Sequence, residues 1–541
     1  MDMSYEEAKT KVKIQNQEQI LANYDKLDDN TKKELREQIN QIDFESFNKL
    51  YSSTKEKISF ENDIIEPISY IEEAKLSEDD FNKYLKLGEN AIKNGQYSVV
   101  TMAGGQGTRL GHCGPKGTFD IGLDSHKSIF EILVDNLKVA NEKYNVVIPW
   151  YIMTSKENDA QTQEYFEKNN FFEYDKNSIK FFQQGKLPMC NEQGKILVNE
   201  QGVIKEASDG HGGIFQSMKK NNITTDMEKR GVKWAFIGPV DNVLVKMVDP
   251  ILLGIMIDKN VSAGGKSVVK ANPSEKVGVF CKRNGKPGVV EYTEISKEMA
   301  EKTDKDGELV FGESHINCNM FSVKAIEDVA DKKLPYHIAH KKASYLDENG
   351  NVIIPEKPNA YKFESFIFDA FDMLNDMAIL RVKREDEFAP VKNAEGTDSP
   401  ETARALYKKF YNKSNAKYIL FAVSSLIFIG AMGLVIDIDK ITLIIYNFAC
   451  TTGLCIFDAI YNTQKGDLIK ECNIEQYDVE HVMFNSILTC SSRFIGFSLI
   501  LIVGIIDNMV FFKGLLAVIA ILVLIYSRII INMEEKKTMK N

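Results

Sequence analysis

The chain has 541 residues, with 67 Lys+Arg against 77 Asp+Glu, a formal net charge of -10 and 44% hydrophobic residues. That length implies about three or four domains, and the acidic balance offers no dominant basic surface for a nucleic-acid backbone, so no nucleic-acid partner is expected. Eight cysteines without a CxxC pair fit neither a disulfide scaffold nor a zinc module and point to a reducing compartment.

The opening MDMSYEEAKTKVK is charged from Asp2 onward and lacks the apolar run of an export signal, so the N-terminus is expected to stay in the cytoplasm. Residues 1–95 read as a helical arm: the segment is charged and nearly free of Gly, and Ile39, Ile42, Phe47, Leu50 and Tyr51 recur at helical spacings. From 96 to 345, short β-rich runs at Tyr97–Met102, Pro149–Thr154, Ile179–Gln183 and Trp234–Ile237 alternate with helix-length segments. The alternation predicts an α/β fold with a mixed, mainly parallel, Rossmann-like sheet, and residues 346–412 are expected to complete that domain.

After Lys417 the composition changes. Residues 418–436 are nineteen positions without a charge, enough to cross about 30 Å of hydrocarbon as a helix; 441–460, 482–506 and 509–531 follow as further candidates. An all-α transmembrane domain of about four helices is therefore expected over 413–541, making the protein multi-pass in a lipid bilayer. Lys465, Lys470, Lys536, Lys537 and Lys540 then fall on the cytoplasmic side with the N-terminal domain. Asp458 and Arg493 are either an intramembrane ion pair or interfacial charges.

The stretch with the most chemistry is VVTMAGGQGTRLGHCGPKGTFDIG, residues 99–122. Glycines where a strand ends let backbone N–H groups approach phosphate oxygens, and Arg109 and Lys116 add cations. Two commoner phosphate motifs fail: Lys116 follows Pro115 rather than the Gly of a P-loop, and Leu110 stands where GxGxxG needs its third glycine.

This stretch resembles the signature of the UDP-sugar pyrophosphorylases, especially the UDP-N-acetylhexosamine (UDP-N-acetylglucosamine) branch. PWYIMTS at 149–155, FFQQGKLP at 181–188, DGHGG at 209–213, PVDNVLVKMVDP at 239–250, VVEYTEIS at 289–296, KPNAYKFESFIFD at 357–369 and REDEFAPVKNAEGTDSPETAR at 384–404 resemble further family blocks in the same order. The resemblance spans roughly residues 20–410 and implies a nucleotidyltransferase that converts UTP and a sugar 1-phosphate into a UDP-sugar and pyrophosphate with Mg²⁺. Carried over by motif, Arg109, Lys116 and Lys392 bind the phosphates and the departing pyrophosphate, joined by Lys362. Ala103, Gly104 and Gly105 contact the nucleotide, Gln184 and Gly210 read uracil, and Asp241 serves the nucleotide and Mg²⁺. The sugar falls to His211, Asn242, Glu291, Tyr292, Asn317 and Asn319.

Two positions depart from the acetylhexosamine pattern. His211 stands where those enzymes usually show Asn, and Cys318 replaces a substrate-contacting Asn, with Asn317 and Asn319 beside it. N-acetylglucosamine 1-phosphate is the expected substrate. Glucose 1-phosphate or broad specificity stays open as the alternative, and a membrane-bound UDP-sugar sensor or scaffold as the non-enzymatic one. Membrane glycosyltransferases that consume the product are the expected partners. Read alone, Glu385, Asp386 and Glu387 form a solvated charge run, Cys113 is a small filler, and the histidines at 112, 126, 337 and 340 hold no metal.

Overall fold

Every residue of Tyr97–Met102 is buried, as a parallel strand covered on both faces must be. In the computed structural model, which describes residues 3–54 and 63–436 and scattered positions within 441–449 and 510–528, this strand lies near the middle of an 11-stranded sheet. Its main path consists of β1 (Ile71–Glu72), β2 (Tyr97–Met102), β3 (Trp150–Thr154), β4 (Ile179–Gln183), β5 (Trp234–Pro239), β6 (Ala263–Val269), β7 (Glu313–Ser322) and β8 (Ala378–Arg381). The spatial order is β1-β8-β6-β7-β5-β2-β3-β4. Along it, β7 runs antiparallel to β5 and β6, while the remaining pairs are parallel. The expected mixed, mainly parallel sheet is therefore present, and the four strands legible by periodicity are β2 to β5.

Helix boundaries follow local chemistry. Ser128 and Glu131 form a capping box that starts the helix Ile129–Tyr144. Asp249 caps the helix Pro250–Lys259, which has Pro at its first position. That helix crosses Glu78–Lys93 at a glycine contact: a Cβ on Gly88 would fall on the Pro250 carbonyl, and one on Gly254 on that of Tyr84.

The N-terminal segment contains the helices Tyr5–Ile14, Asp29–Gln41 and Phe44–Ser53, but it is not wholly helical. Ile65–Pro67 and β1 join the sheet, because the β-branched run around Ile64, Ile65, Ile68 and Ile71 suits extended backbone. The three helices share an apolar core with Ile196, Val203 and Phe363. Two buried carboxamides fix the docking: Gln17 accepts from the Ile196 N–H at 2.9 Å and Gln38 from the Ile204 N–H at 2.8 Å.

The chain divides into two compact units, Met1–Tyr407 and Lys408–Asn541. The last described helix is Pro400–Ile436. Among the described residues no helix is long and apolar enough to cross a membrane. Of the four expected spans, 418–436 falls on that last helix, where the side chains of 418–421 and 434 are outside the description; 441–460, 482–506 and 509–531, with Asp458 and Arg493, lie wholly or largely outside the described residues. The expected four-helix transmembrane domain thus finds no support in what is described.

Candidate active site

The carboxyl ends of β2, β3, β4 and β5 are in register, with Met102 opposite both Met153 and Pro239 and Thr154 opposite Gln183. Ligands of open α/β sheets bind at such edges. The glycine-rich loop leaves β2 here, and its first residue, Ala103, donates its N–H to the Met153 carbonyl at 2.7 Å. The loop closes on itself where the Gly107 N–H meets the Gly114 carbonyl at 2.9 Å and the Lys116 N–H meets the Gly105 carbonyl at 3.1 Å. Asn158, a buried residue that sequence reasoning passed over, donates from Nδ2 to the carbonyls of Ala103 at 2.9 Å and Gly105 at 3.3 Å. Gly104 is glycine because of what lies against it: a Cβ there would sit 2.6 Å from the Gln184 carboxamide oxygen. Gly105 is exposed, and Arg109 is exposed on the short turn Thr108–Leu110.

Lys116 points from the loop to Asp241, with Nζ 2.9 Å from Oδ2 and both side chains mostly covered. Asp241 lies two residues beyond the end of β5, and its carbonyl accepts the Val391 N–H at 2.9 Å, which brings the backbone beside Lys392 to the same strand end. Lys392 itself is half exposed, near Asp398 and the Phe388 ring. Asn242 takes a different role from the sugar contact expected of it. It is buried, its Nδ2 donates to the Glu387 carbonyl at 2.7 Å, and its Oδ1 accepts from the N–H groups of Ala389 at 2.9 Å and Leu244 at 3.2 Å. With its carboxamide fully engaged, Asn242 anchors the segment that delivers Lys392.

Beneath this segment lies a buried charge network. Lys266 on β6 pairs with Asp249 at 2.6 Å and with Glu387, and all three side chains are excluded from water. Lys246 lies 3.8–3.9 Å from Glu73, Asp249 and Glu387. Three carboxylates therefore face two ammonium groups, and burial raises the Glu73 carboxyl to about 7. Glu387 is part of a packed ionic layer rather than the solvated face its charge run suggested. Cys113 is exposed, so it fills no core space.

On the base side, the Asp209 N–H donates to the Gly185 carbonyl at 3.2 Å, so the loops carrying Gln184 and Gly210 are adjacent. Gly210 has φ +87, and a Cβ there would fall on the Ser365 carbonyl; one on Gly212 would meet the Phe366 backbone at 2.7 Å. The glycines of DGHGG thus seat the segment 365–367. Burial raises the Asp209 carboxyl to about 6, with Lys362 nearby opposing the shift. The Lys362 ammonium is 2.6 Å from Glu364.

Beyond Gly210, His211 accepts the Ile367 N–H at Nδ1, 3.1 Å. The Phe366 ring lies 5.2 Å from the His211 ring and 4.5 Å from that of His337. Burial lowers His211 to about 4, helped by His337. Glu291 is partly buried and raised by burial, with Glu294 and His337 within electrostatic reach; Tyr292 is exposed. On β7 a bulge falls between His315 and Asn319, placing Asn317 at φ +61 and leaving its Oδ1 without a hydrogen-bond partner. Asn319 is fully buried; its Oδ1 is 3.1 Å from His315 Nε2, and its Nδ2 is unpartnered. Cys318 is buried, which pushes its thiol up to about 12. Phe366 and Phe368 went unassigned in the sequence, though the aromatic spacing within ESFIFD was their signal; His337, read only as no metal ligand, carried none.

A family model described as UTP–glucose-1-phosphate uridylyltransferase matches residues 43–437. The chain is 42% identical over 342 residues to the UDP-N-acetylglucosamine pyrophosphorylase of Saccharomyces cerevisiae, covering 61% of this chain and 71% of that protein. It is 36% identical over 428 residues to UDP-N-acetylglucosamine diphosphorylase 2 of Arabidopsis thaliana, covering 74% and 83%. Among solved structures, the uridine diphosphate N-acetylglucosamine pyrophosphorylase of Trypanosoma brucei aligns with a TM-score of 0.67 at 29% identity, covering 79% of this chain and 87% of that one. With the sheet, the glycine loop and the Lys116–Asp241 pair in place and a family match over most of its length, the chain belongs to the UTP–glucose-1-phosphate uridylyltransferase family.

Proposed function

We infer that the protein is a uridylyltransferase that forms a UDP-sugar and pyrophosphate from UTP and a sugar 1-phosphate, and that its sugar is N-acetylglucosamine 1-phosphate. The observation that carries the reading is the meeting of Gly104 with Gln184 and of Lys116 with Asp241 at one sheet edge. The relatives named for N-acetylglucosamine support the choice of sugar. The unpartnered amide atoms of Asn317 and Asn319 support a polar sugar beside β7.

In this reading an oxygen of the sugar phosphate attacks the α-phosphorus of UTP, and the bond from that phosphorus to the β-phosphate bridging oxygen breaks. No protein nucleophile is required; catalysis is positioning and charge neutralisation. Lys116 and Arg109 from the glycine loop, with Lys362 and Lys392 from later segments, neutralise the phosphates and the departing pyrophosphate. Gln184 and the backbone at Gly210 read the uracil edge, while His211, Glu291, Tyr292, Asn317 and Asn319 face the sugar. Asp241 suits Mg²⁺: it is a mostly covered carboxylate at the strand end beside the phosphate-binding Lys116, and a hard cation would take such an oxygen as a ligand. Bound there, Mg²⁺ supplies charge neutralisation on the phosphates.

Pyrophosphate release by the purified protein with UTP and Mg²⁺ tests the reading, comparing N-acetylglucosamine, N-acetylgalactosamine and glucose 1-phosphates. Fastest release with N-acetylglucosamine 1-phosphate is expected. Preference for glucose 1-phosphate overturns the sugar, and UTP binding without release from any sugar favours the sensor.

The charge-free residues 418–436 support a second proposal, that the chain is tethered to a membrane with its catalytic unit in the cytoplasm, beside glycosyltransferases that use the UDP-sugar. Ile429 and Ile436 are exposed on that stretch at 65% and 78%.

A further inference from the structure

His337 lies outside the residues assigned to substrate, yet it is tied to the sugar-side wall by three contacts. Its Nε2 is 2.9 Å from Asp369 Oδ1. Its ring packs on Phe366 at 4.5 Å and reaches Phe368 at 6.3 Å. The other oxygen of Asp369 accepts the Phe366 N–H at 2.7 Å, so one carboxylate holds both the imidazole and the backbone beneath the aromatic ring. His211 binds the same segment through the Ile367 N–H, and its ring also lies against Phe366. Two imidazoles thus clamp the Phe366 segment, and one of them hangs from Asp369.

The ionic environment sets the polarity of the clamp. Burial alone lowers His337, but the hydrogen bond and charge of Asp369, with Glu294 and Glu291, raise it. The charged groups within reach of the ring are therefore Asp369, Glu291 and Glu294, with His211 as the neighbouring imidazole. Glu291 lies on the segment after the strand Lys286–Val290, whose Lys286 ammonium donates to the Asp372 carbonyl at 3.0 Å and so ties that strand to the 366–373 segment. Movement of His337 would disturb the aromatic wall directly, while Gly104, Gln184 and Lys116 are held by other contacts.

We propose that His337, held by Asp369, is a positioning residue for the sugar phosphate: it fixes the Phe366–Phe368 wall. The inference rests on the uridylyltransferase reading above. Neither residue is assigned a nucleotide contact, and the uracil-side Gly210 meets this segment at Ser365, which is held separately by the Asp209 carbonyl, so the larger effect falls on the sugar phosphate.

Steady-state kinetics of the full chain test it. For H337A the KM for N-acetylglucosamine 1-phosphate rises about tenfold or more, the loss of a charge-assisted hydrogen bond, while the KM for UTP stays within about twofold. H337Q, whose side-chain amide can still donate to Asp369, recovers most of the loss; D369N, which keeps the ring, behaves like H337A. Thermal melting accompanies each variant, and should H337A fail to fold, D369N carries the same expectation. A folded H337A or D369N with unchanged sugar-phosphate KM, or with both KM values rising together, overturns the inference. A wild-type chain that forms no UDP-sugar overturns the reading beneath it, and the inference with it.

Discussion

His211 and His315 are imidazoles held neutral within the site. Burial lowers each to about 4, with His337 adding to the shift of His211 and with the hydrogen bond to Asn319 partly opposing that of His315. For a base whose folded value lies below its unfolded value near 6.5, the unfolded chain takes the proton first. The stabilisation is therefore complete above about pH 6.5 and is lost as pH falls toward 4. Each contributes on the order of 2–3 kcal/mol over that window, allowing for partial exposure. Asp209 works in the opposite sense: raised to about 6 by burial, it favours the fold while protonated and loses that advantage as pH rises from about 4 to 6. Urea unfolding at pH 7 and pH 4.5 should show H211N losing less stability than the wild type between the two, and an equal loss would show that His211 does not carry the effect. At this scale Gly104, Gly210 and Gly212 were legible as a pattern, and each stands where a neighbour leaves no room for a Cβ, whereas Gly105 has open space there. Glu387 was not: a run of Glu-Asp-Glu carries no mark of the lysine, 121 residues away, that buries its last member.

Among elements, the decisive contact is between β6 and the segment ending at Lys392. Lys266 sits inside a strand with Asp249 and Glu387 as partners, and Asp249 also caps the helix Pro250–Lys259. K266M leaves those two carboxylates facing Lys246 alone. A loss of about 3–5 kcal/mol is expected, as for any buried pair broken on one side. K49M, which removes an exposed pair with Glu45, should leave the denaturation midpoint unchanged; equal effects of the two would mean that the buried network carries no special weight. A second test lies where the helices Glu78–Lys93 and Pro250–Lys259 touch backbone to backbone. G88A should cost about 1–3 kcal/mol or more, since the Pro250 carbonyl cannot yield as a side chain can, and an unchanged midpoint would refute that contact. β6 and β7 escaped sequence reading for related reasons. Ala263-Gly264-Gly265-Lys266 reads as loop, yet its glycines admit Met256 and Phe280, and β7 hides its apolar period behind His315, Asn317 and Asn319 and a bulge.

For the molecule as a whole, the residues proposed to act on the phosphates end before the first unit does. Met1–Tyr407 contains the sheet, the glycine loop and Lys392, and Arg404 still reaches back to the Gly122 carbonyl at 3.4 Å. Beyond it, nineteen charge-free residues, 418–436, rise about 28 Å as a helix at 1.5 Å per residue, close to the hydrocarbon thickness of a bilayer. The proposed chemistry and the proposed tether are therefore separable in sequence. A chain ending after Tyr411 is expected to remain in the supernatant of a carbonate-washed lysate with a kcat within about threefold of the full chain, because no group positioned at the phosphates is removed. The full chain is expected in the membrane pellet, resistant to carbonate and released by detergent. Full-length protein in the supernatant would remove the tether, whereas a soluble but inactive shortened chain would mean that residues beyond 411 support the site itself.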